Sequence, residues 1–122
     1  MSFILLLFVI NVSNGQTKND RTNLGIEHAK KEIKEALSDN SERQILVDEV
    51  ITNKKTAITV AETILFDIYG KEKIIRQRPY EIYKIEKYWY LRGTIPENMK
   101  GGSFLIILNS TNGQIIKLMH GK

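Results

Sequence analysis

Acid–base and nucleophilic chemistry need titratable side chains at workable spacings, and this sequence supplies few. The histidines are His28 and His120, and cysteine is absent. A thiolate nucleophile, a disulfide scaffold and a cysteine-ligated zinc are therefore excluded. Glu62 and Asp67 fall in one helical segment but five positions apart, so they share no face and read as a solvated surface. His120 stands beside Gly121, past the last regular strand, where a general acid or base is poorly held. His28 lies in a weakly patterned helix, and no Ser–His–acid or His-x-x-x-His set can be assembled. Gly101 and Gly102 lack the spacing of a P-loop or a dinucleotide fingerprint and read as a turn that admits positive φ. The residues argue against an enzyme and name no catalytic, cofactor or metal position.

Recognition is better supplied than catalysis. Residues 71–92 carry Lys71, Lys73, Arg76, Arg78, Lys84, Lys87 and Arg92 against Glu72, Glu81 and Glu86, with Tyr80, Tyr83, Tyr88 and Tyr90 interleaved. Cations among aromatics suit single-stranded nucleic acid. They equally suit a protein interface, where Tyr and Arg are enriched at hot spots. The net charge of +4 is modest for nucleic-acid binding, so the protein interface is preferred. The candidate contacts are Tyr83, Tyr88, Tyr90, Arg92, Arg78 and Lys84. The bland alternative is a solvated sheet face with snorkelling lysines.

The elements that must position these residues can be read from periodicity. With 122 residues, 42% of them hydrophobic and 26% charged, the chain has the composition and length of one globular domain. Residues 26–38 place Ile26, Ala29, Ile33, Ala36 and Leu37 at the spacing of a weakly amphipathic surface helix, broken at Asp39, Asn40 and Ser41. Residues 44–52 are ambiguous between strand and helical turn, and 53–55 read as a loop. The clearest helix is 57–69, with Thr56 as its cap, Gly70 at its end, and Ala57, Val60, Ala61, Ile64, Leu65 and Ile68 as one apolar stripe. Its two alanines would let it lie close against a sheet.

Beyond the helix the period changes from 3.6 to 2. Strands are predicted at 80–85, 88–95, 103–109 and 114–119, with Glu86 and Lys87 as a hairpin and Asn112–Gly113 as a turn. In the second strand Trp89, Leu91 and Ile95 share a face, and Tyr88, Tyr90 and Arg92 share the other. Gly93 within that strand points to a bulge or a close approach. The expectation is an α+β fold: a helix packed on a twisted antiparallel sheet of about four strands, cystatin-like or cone-shaped.

Phe3 to Ile10 are eight consecutive apolar residues, short of the roughly 20 that span a bilayer. They fit the h-region of a signal peptide, with Ser13 and Gly15 at −3 and −1 of a cut before Gln16, although no Lys or Arg precedes them. A buried N-terminal strand is the alternative. This organisation gives residues 1–15 as a signal peptide, 16–25 as a linker and 26–122 as one domain with its core in 56–122, exported to the periplasm.

A set of ordered motifs carries a resemblance. They are the segment from Thr56 to Leu65, Ile68–Gly70, Arg78–Tyr80, the run from Tyr88 to Pro96, Gly101–Gly102, Asn112–Ile116 and His120–Lys122. Trp89, Gly93, Thr94 and Pro96 followed by the Gly101–Gly102 pair are the specific part. Together they resemble the immunity-protein family with a nuclear transport factor 2 (NTF2) fold, over residues 56–122. The resemblance implies a protein that binds and neutralises a cognate antibacterial toxin, without catalysis and without a cofactor. Inhibitors of basic nuclease toxins tend to be acidic. A basic, exported chain instead points to a toxin acting in the periplasm or at the membrane. Two competing readings are a periplasmic peptidase inhibitor or regulatory module, and a small-molecule-binding cone domain with an enclosed pocket and a buried acid.

Overall fold

The computed structural model describes residues 21–39 and 44–122. The expected signal peptide, the first half of the expected linker (16–20) and the helix break at Asn40–Ser41 lie outside them. Among the described residues no helix is long and apolar enough to cross a membrane. The chain divides into two units, Met1–Gln44 and Ile45–Lys122.

In the first unit, helix α1 spans Ile26–Ser38, as its spacing predicts, and buries none of its residues. Its polar side is laced by pairs one turn apart, Glu27 with Lys30 at 3.3 Å and His28 Nε2 with Glu32 Oε1 at 3.2 Å. Exposed pairs of this kind contribute only a few tenths of a kcal/mol, ~0.2–0.5 each.

The second unit contains helix α2 (Lys54–Tyr69), a short helix α3 (Lys71–Ile75) and strands β1 (Glu81–Ile85), β2 (Tyr88–Arg92), β3 (Phe104–Asn109) and β4 (Ile115–His120). The strands form one antiparallel meander in the order β1-β2-β3-β4, the α+β arrangement the periodicity predicts. Helix α2 begins three residues earlier than expected. Asn53, not Thr56, is its cap: the Asn53 side chain accepts the Thr56 N–H at 2.9 Å. Helix α3 was not foreseen, because five residues are too few to show a period. The ambiguous stretch 44–52 is neither helix nor strand. The N–H groups of Val50 and Ile51 both donate to the Ser110 carbonyl, and Trp89 Nε1 donates to the Ile51 carbonyl at 2.9 Å. That segment is thus pinned to the end of β3.

The alternation of side chains divides the sheet into two faces. Ile82, Trp89, Leu91, Phe104, Ile106, Leu108 and Leu118 face inward, onto a core that includes Ile51, Ala57, Ala61, Leu65 and Ile74. Trp89 is core, as its face-sharing with Leu91 indicates. Ala57 and Ala61 are fully buried where α2 meets the sheet, whereas Ile68, predicted in the same stripe, is exposed at the helix end.

At one end of the sheet the strands stop together. The buried Gln77 side chain accepts the Phe104 N–H at 2.9 Å, donates to the Lys73 carbonyl at 3.1 Å, and meets His120 Nε2 at 3.0 Å. Its amide nitrogen is a donor, so His120 Nε2 accepts, and His120 Nδ1 donates to the Gly121 carbonyl at 2.7 Å. His120 is therefore well held, contrary to expectation, because β4 runs on to pair it with Phe104. The regular second strand ends at Arg92 rather than residue 95, as the chain turns at Gly93 to bond the backbone of Gln77 through Thr94. Gly93 marks a close approach: a Cβ there would lie 2.1 Å from Gln77 Oε1. Gly102 is equally confined, with Gly121 carbonyl carbon 2.1 Å from an added Cβ. Gly101 has the positive φ, 139°, predicted for the pair.

Gly93→Ala is expected to destabilise the fold by about 1–3 kcal/mol, the usual cost of overpacking. The loss should shrink in a Gln77→Ala background, where the clashing amide is gone. Urea unfolding of the two single variants and the double variant measures this coupling.

Candidate functional site

The strand pairing that buries one face of the sheet aligns the other into cross-strand rows. One row runs Tyr83–Tyr90–Ile107–Lys117, a second Glu81–Arg92–Leu105–Met119, and a third Ile85–Tyr88–Asn109. The face of an antiparallel sheet turned away from its core is ordinarily polar. Here it carries Tyr83, Ile85, Tyr88, Tyr90, Leu105, Ile107 and Met119. Tyr83 is 52% exposed, Ile85 62% and Met119 43%, and the others are half-buried against one another. A contiguous apolar patch of this kind is the informative departure from ordinary surfaces. The Tyr83 and Tyr90 rings sit 6.1 Å apart, tilted by 34°, within the range of a favourable aromatic pair. Lys87 Nζ lies 5.7 Å from the Tyr88 ring centre. Glu81, Arg92 and Lys117 supply charge among the apolar side chains.

Four of the six sequence-predicted contacts, Tyr83, Tyr88, Tyr90 and Arg92, are gathered on this face. The other two are placed elsewhere. Lys84 alternates to the inner side, where its Nζ bonds Glu49 Oε2 at 2.6 Å and lies 5.8 Å from the Trp89 ring centre. Ser110 Oγ donates to the same Glu49 oxygen at 2.7 Å. The Lys84 hydrogen bond, then that of Ser110, hold the Glu49 carboxyl below its ordinary range. Arg78 donates to Glu62 Oε2 from Nη2 at 2.6 Å and from Nε at 3.1 Å, and Tyr80 donates its hydroxyl to the same oxygen at 2.6 Å. Glu62 is thus not the solvated residue expected; its side chain is only 14% exposed. Burial, reinforced by the bond to Glu62, pushes the Tyr80 phenol up to about 12.

Sequence reasoning missed Ile85, Leu105, Ile107 and Met119 as parts of the face. The signal for two of them was present: a strand that is apolar at every position from Phe104 to Leu108 must present apolar side chains on both sides. Among the described residues no cluster of three or more metal-ligating side chains occurs.

Comparison with known proteins covers the part of the chain that builds this sheet. Residues 56–122 match the family described as NTF2 fold immunity protein. The chain is 32% identical over 83 residues to the uncharacterized protein YhhH of Escherichia coli (strain K12), covering 67% of this chain and 65% of that one. It is 29% identical over 77 residues to the uncharacterized protein YbbC of the same organism, covering 62% and 63%. The aligned region therefore spans somewhat under two thirds of the length of these relatives. No solved structure matches the chain.

The Tyr80 cluster gives stability a defined alkaline limit. The folded state holds the phenol protonated up to about 12, against an ordinary value of 10.0. Its contribution is fully present below pH 10 and is lost as pH rises through 12. Tyr80→Phe should therefore lose less stability than the parent chain between pH 10 and 12. It should also remove the last component of the phenolate absorbance titration.

Proposed function

The chain belongs to the NTF2 fold immunity protein family, and we propose that it binds a cognate antibacterial protein toxin and neutralises it by occlusion. The observation that carries this reading is the outer face of the sheet. It presents aromatic and aliphatic side chains in register, and no element of its own unit covers them. The side chains stand on paired strands, so little ordering entropy is lost on docking. Tyr83 and Tyr90 would act as rigid anchors of low rotamer cost, and Tyr88 and Arg92 would extend the contact along β2. Glu81, Arg92 and Lys117 would orient the encounter. A preformed sheet seated on the toxin would block either its active site or a surface it needs for assembly.

Two features favour a toxin that acts in the periplasm or at the membrane. The chain carries a net charge of +4, which repels a basic nuclease. The apolar run Phe3–Ile10 favours export, with cleavage after Gly15. The space between α2 and the sheet is filled by Ala57, Ala61, Leu65, Leu91, Phe104 and Ile106. That packing favours a protein partner over an enclosed small-molecule ligand.

The test is to produce the tagged full chain in its source organism and recover it from the periplasm. The expected product begins at Gln16 and carries one stoichiometric toxin. Tyr83→Ala/Tyr90→Ala should weaken that complex about 100-fold, the effect of losing hot-spot residues worth ~2–3 kcal/mol together. Protection of cells should be lost while a cooperative urea transition shows that the variant is still folded. Full affinity in the double variant contradicts the docking face, and an unprocessed cytosolic chain contradicts the compartment.

A further inference from the structure

The end of the sheet organised by Gln77 also forms an open cleft of about 430 Å³, within the usual range of ligand pockets. Its cations come from separate parts of the chain: Lys73 and Arg76 from α3 and its end, and Lys100 from the loop before β3, with Lys122 at the margin. No carboxylate side chain lines it. Among the described residues Lys73, Arg76 and Lys100 take part in no ion pair. Bringing like charges together is unfavourable unless an anion relieves them. The floor is not available for a ligand, because the Gln77 amide and the His120 ring already bond each other and their neighbours. Ile95, Pro96 and Met99 form an apolar wall.

This cleft is continuous with the outer face. A smaller depression of about 280 Å³ is lined by Arg92, Leu105 and Met119 from that face and by Ile95, Gly101 and Gly102 from the cleft. Ile95, Gly101, Gly102 and Gly121 line both depressions. We infer that the cleft binds an acidic, partly apolar peptide segment of the toxin. The segment's carboxylates would face Lys73, Arg76 and Lys100, and its apolar side chains would lie on Ile95 and Met99. The inference rests on the toxin-binding reading above and adds the chemistry of what is bound. A bare inorganic anion uses the charges but not the wall.

The probe is a capped hexapeptide alternating acidic residues with leucine, titrated into the isotopically labelled full chain and followed by amide NMR. Saturable shifts are expected at Lys100, Gly101, Gly102 and Gly121. Binding should weaken at least tenfold in Lys73→Glu/Lys100→Glu and be unchanged in Tyr83→Ala/Tyr90→Ala. Both substituted lysines are exposed, and an unchanged urea midpoint verifies that this variant is folded. Absence of saturable shifts, equal shifts with sulfate alone, or full peptide affinity in the charge-reversed variant each overturns the inference. The peptide arm contains no toxin. Its failure alongside intact toxin binding removes the cleft assignment alone, and peptide binding by a chain that captures no toxin removes the toxin as the source of the segment while the chemistry of the cleft stands.

Discussion

A buried amide side chain sets the boundary conditions for the sheet. Gln77 is 6% exposed, and each hydrogen-bonding group of its amide is used: on β3 through Phe104, on α3 through Lys73, and on β4 through His120. Leaving one such group unpaired in the interior costs ~1–3 kcal/mol, so the three elements must finish at one place. Gly93 has to be glycine because that amide occupies the space of a Cβ, and Gly102 has to be glycine because Gly121 lies against it. The motif residues spread along the chain thus share one physical cause.

A second constraint is the supply of covering elements. Helix α2 sits close to the sheet through Ala57 and Ala61 and buries the middle of one face, at Trp89, Leu91, Ile106 and Leu108. The second unit has no further layer for the other face, yet that face is aromatic and aliphatic rather than polar. A domain built for solubility alone would alternate to polar residues there. The charged side chains that stretch 71–92 supplies are divided by the same alternation. Lys84 joins Glu49 at the margin of the inner face and Arg78 joins Glu62 beside the helix, while Arg92 remains on the open face. Two of the basic residues therefore hold the fold together, and the tyrosines dominate the open surface.

Much of this was legible in the sequence because the signals are local. The change of period from 3.6 to 2 located α2 and the meander, and alternation placed Trp89 inside and Tyr88, Tyr90 and Arg92 outside. The same alternation separates Lys84 from Tyr83, a distinction lost when the stretch is read as composition. What was not legible depends on tertiary contact. Glu62 and Arg78 are sixteen residues apart and meet only because α3 returns the chain along α2. Asn53 and Thr56 are both good caps, and the choice fell to the earlier one, because the backbone held at Ile51 by Ser110 and Trp89 delivers the chain to the helix there. The cleft cations lie on α3 and on a loop beyond two strands, so no spacing announces them.

The central claim is that the toxin rests on the outer face of the sheet. Hydroxyl-radical footprinting of the purified toxin complex reads that face directly, because it reports the solvent access of individual side chains. The account predicts that Tyr83, Tyr90 and Met119 lose most of their reactivity when the complex is saturated, while Ile68, exposed at the end of α2 on the other side of the sheet, keeps its own. If Tyr83, Tyr90 and Met119 remain as reactive in the saturated complex as in the free chain, the toxin sits elsewhere and the account is wrong.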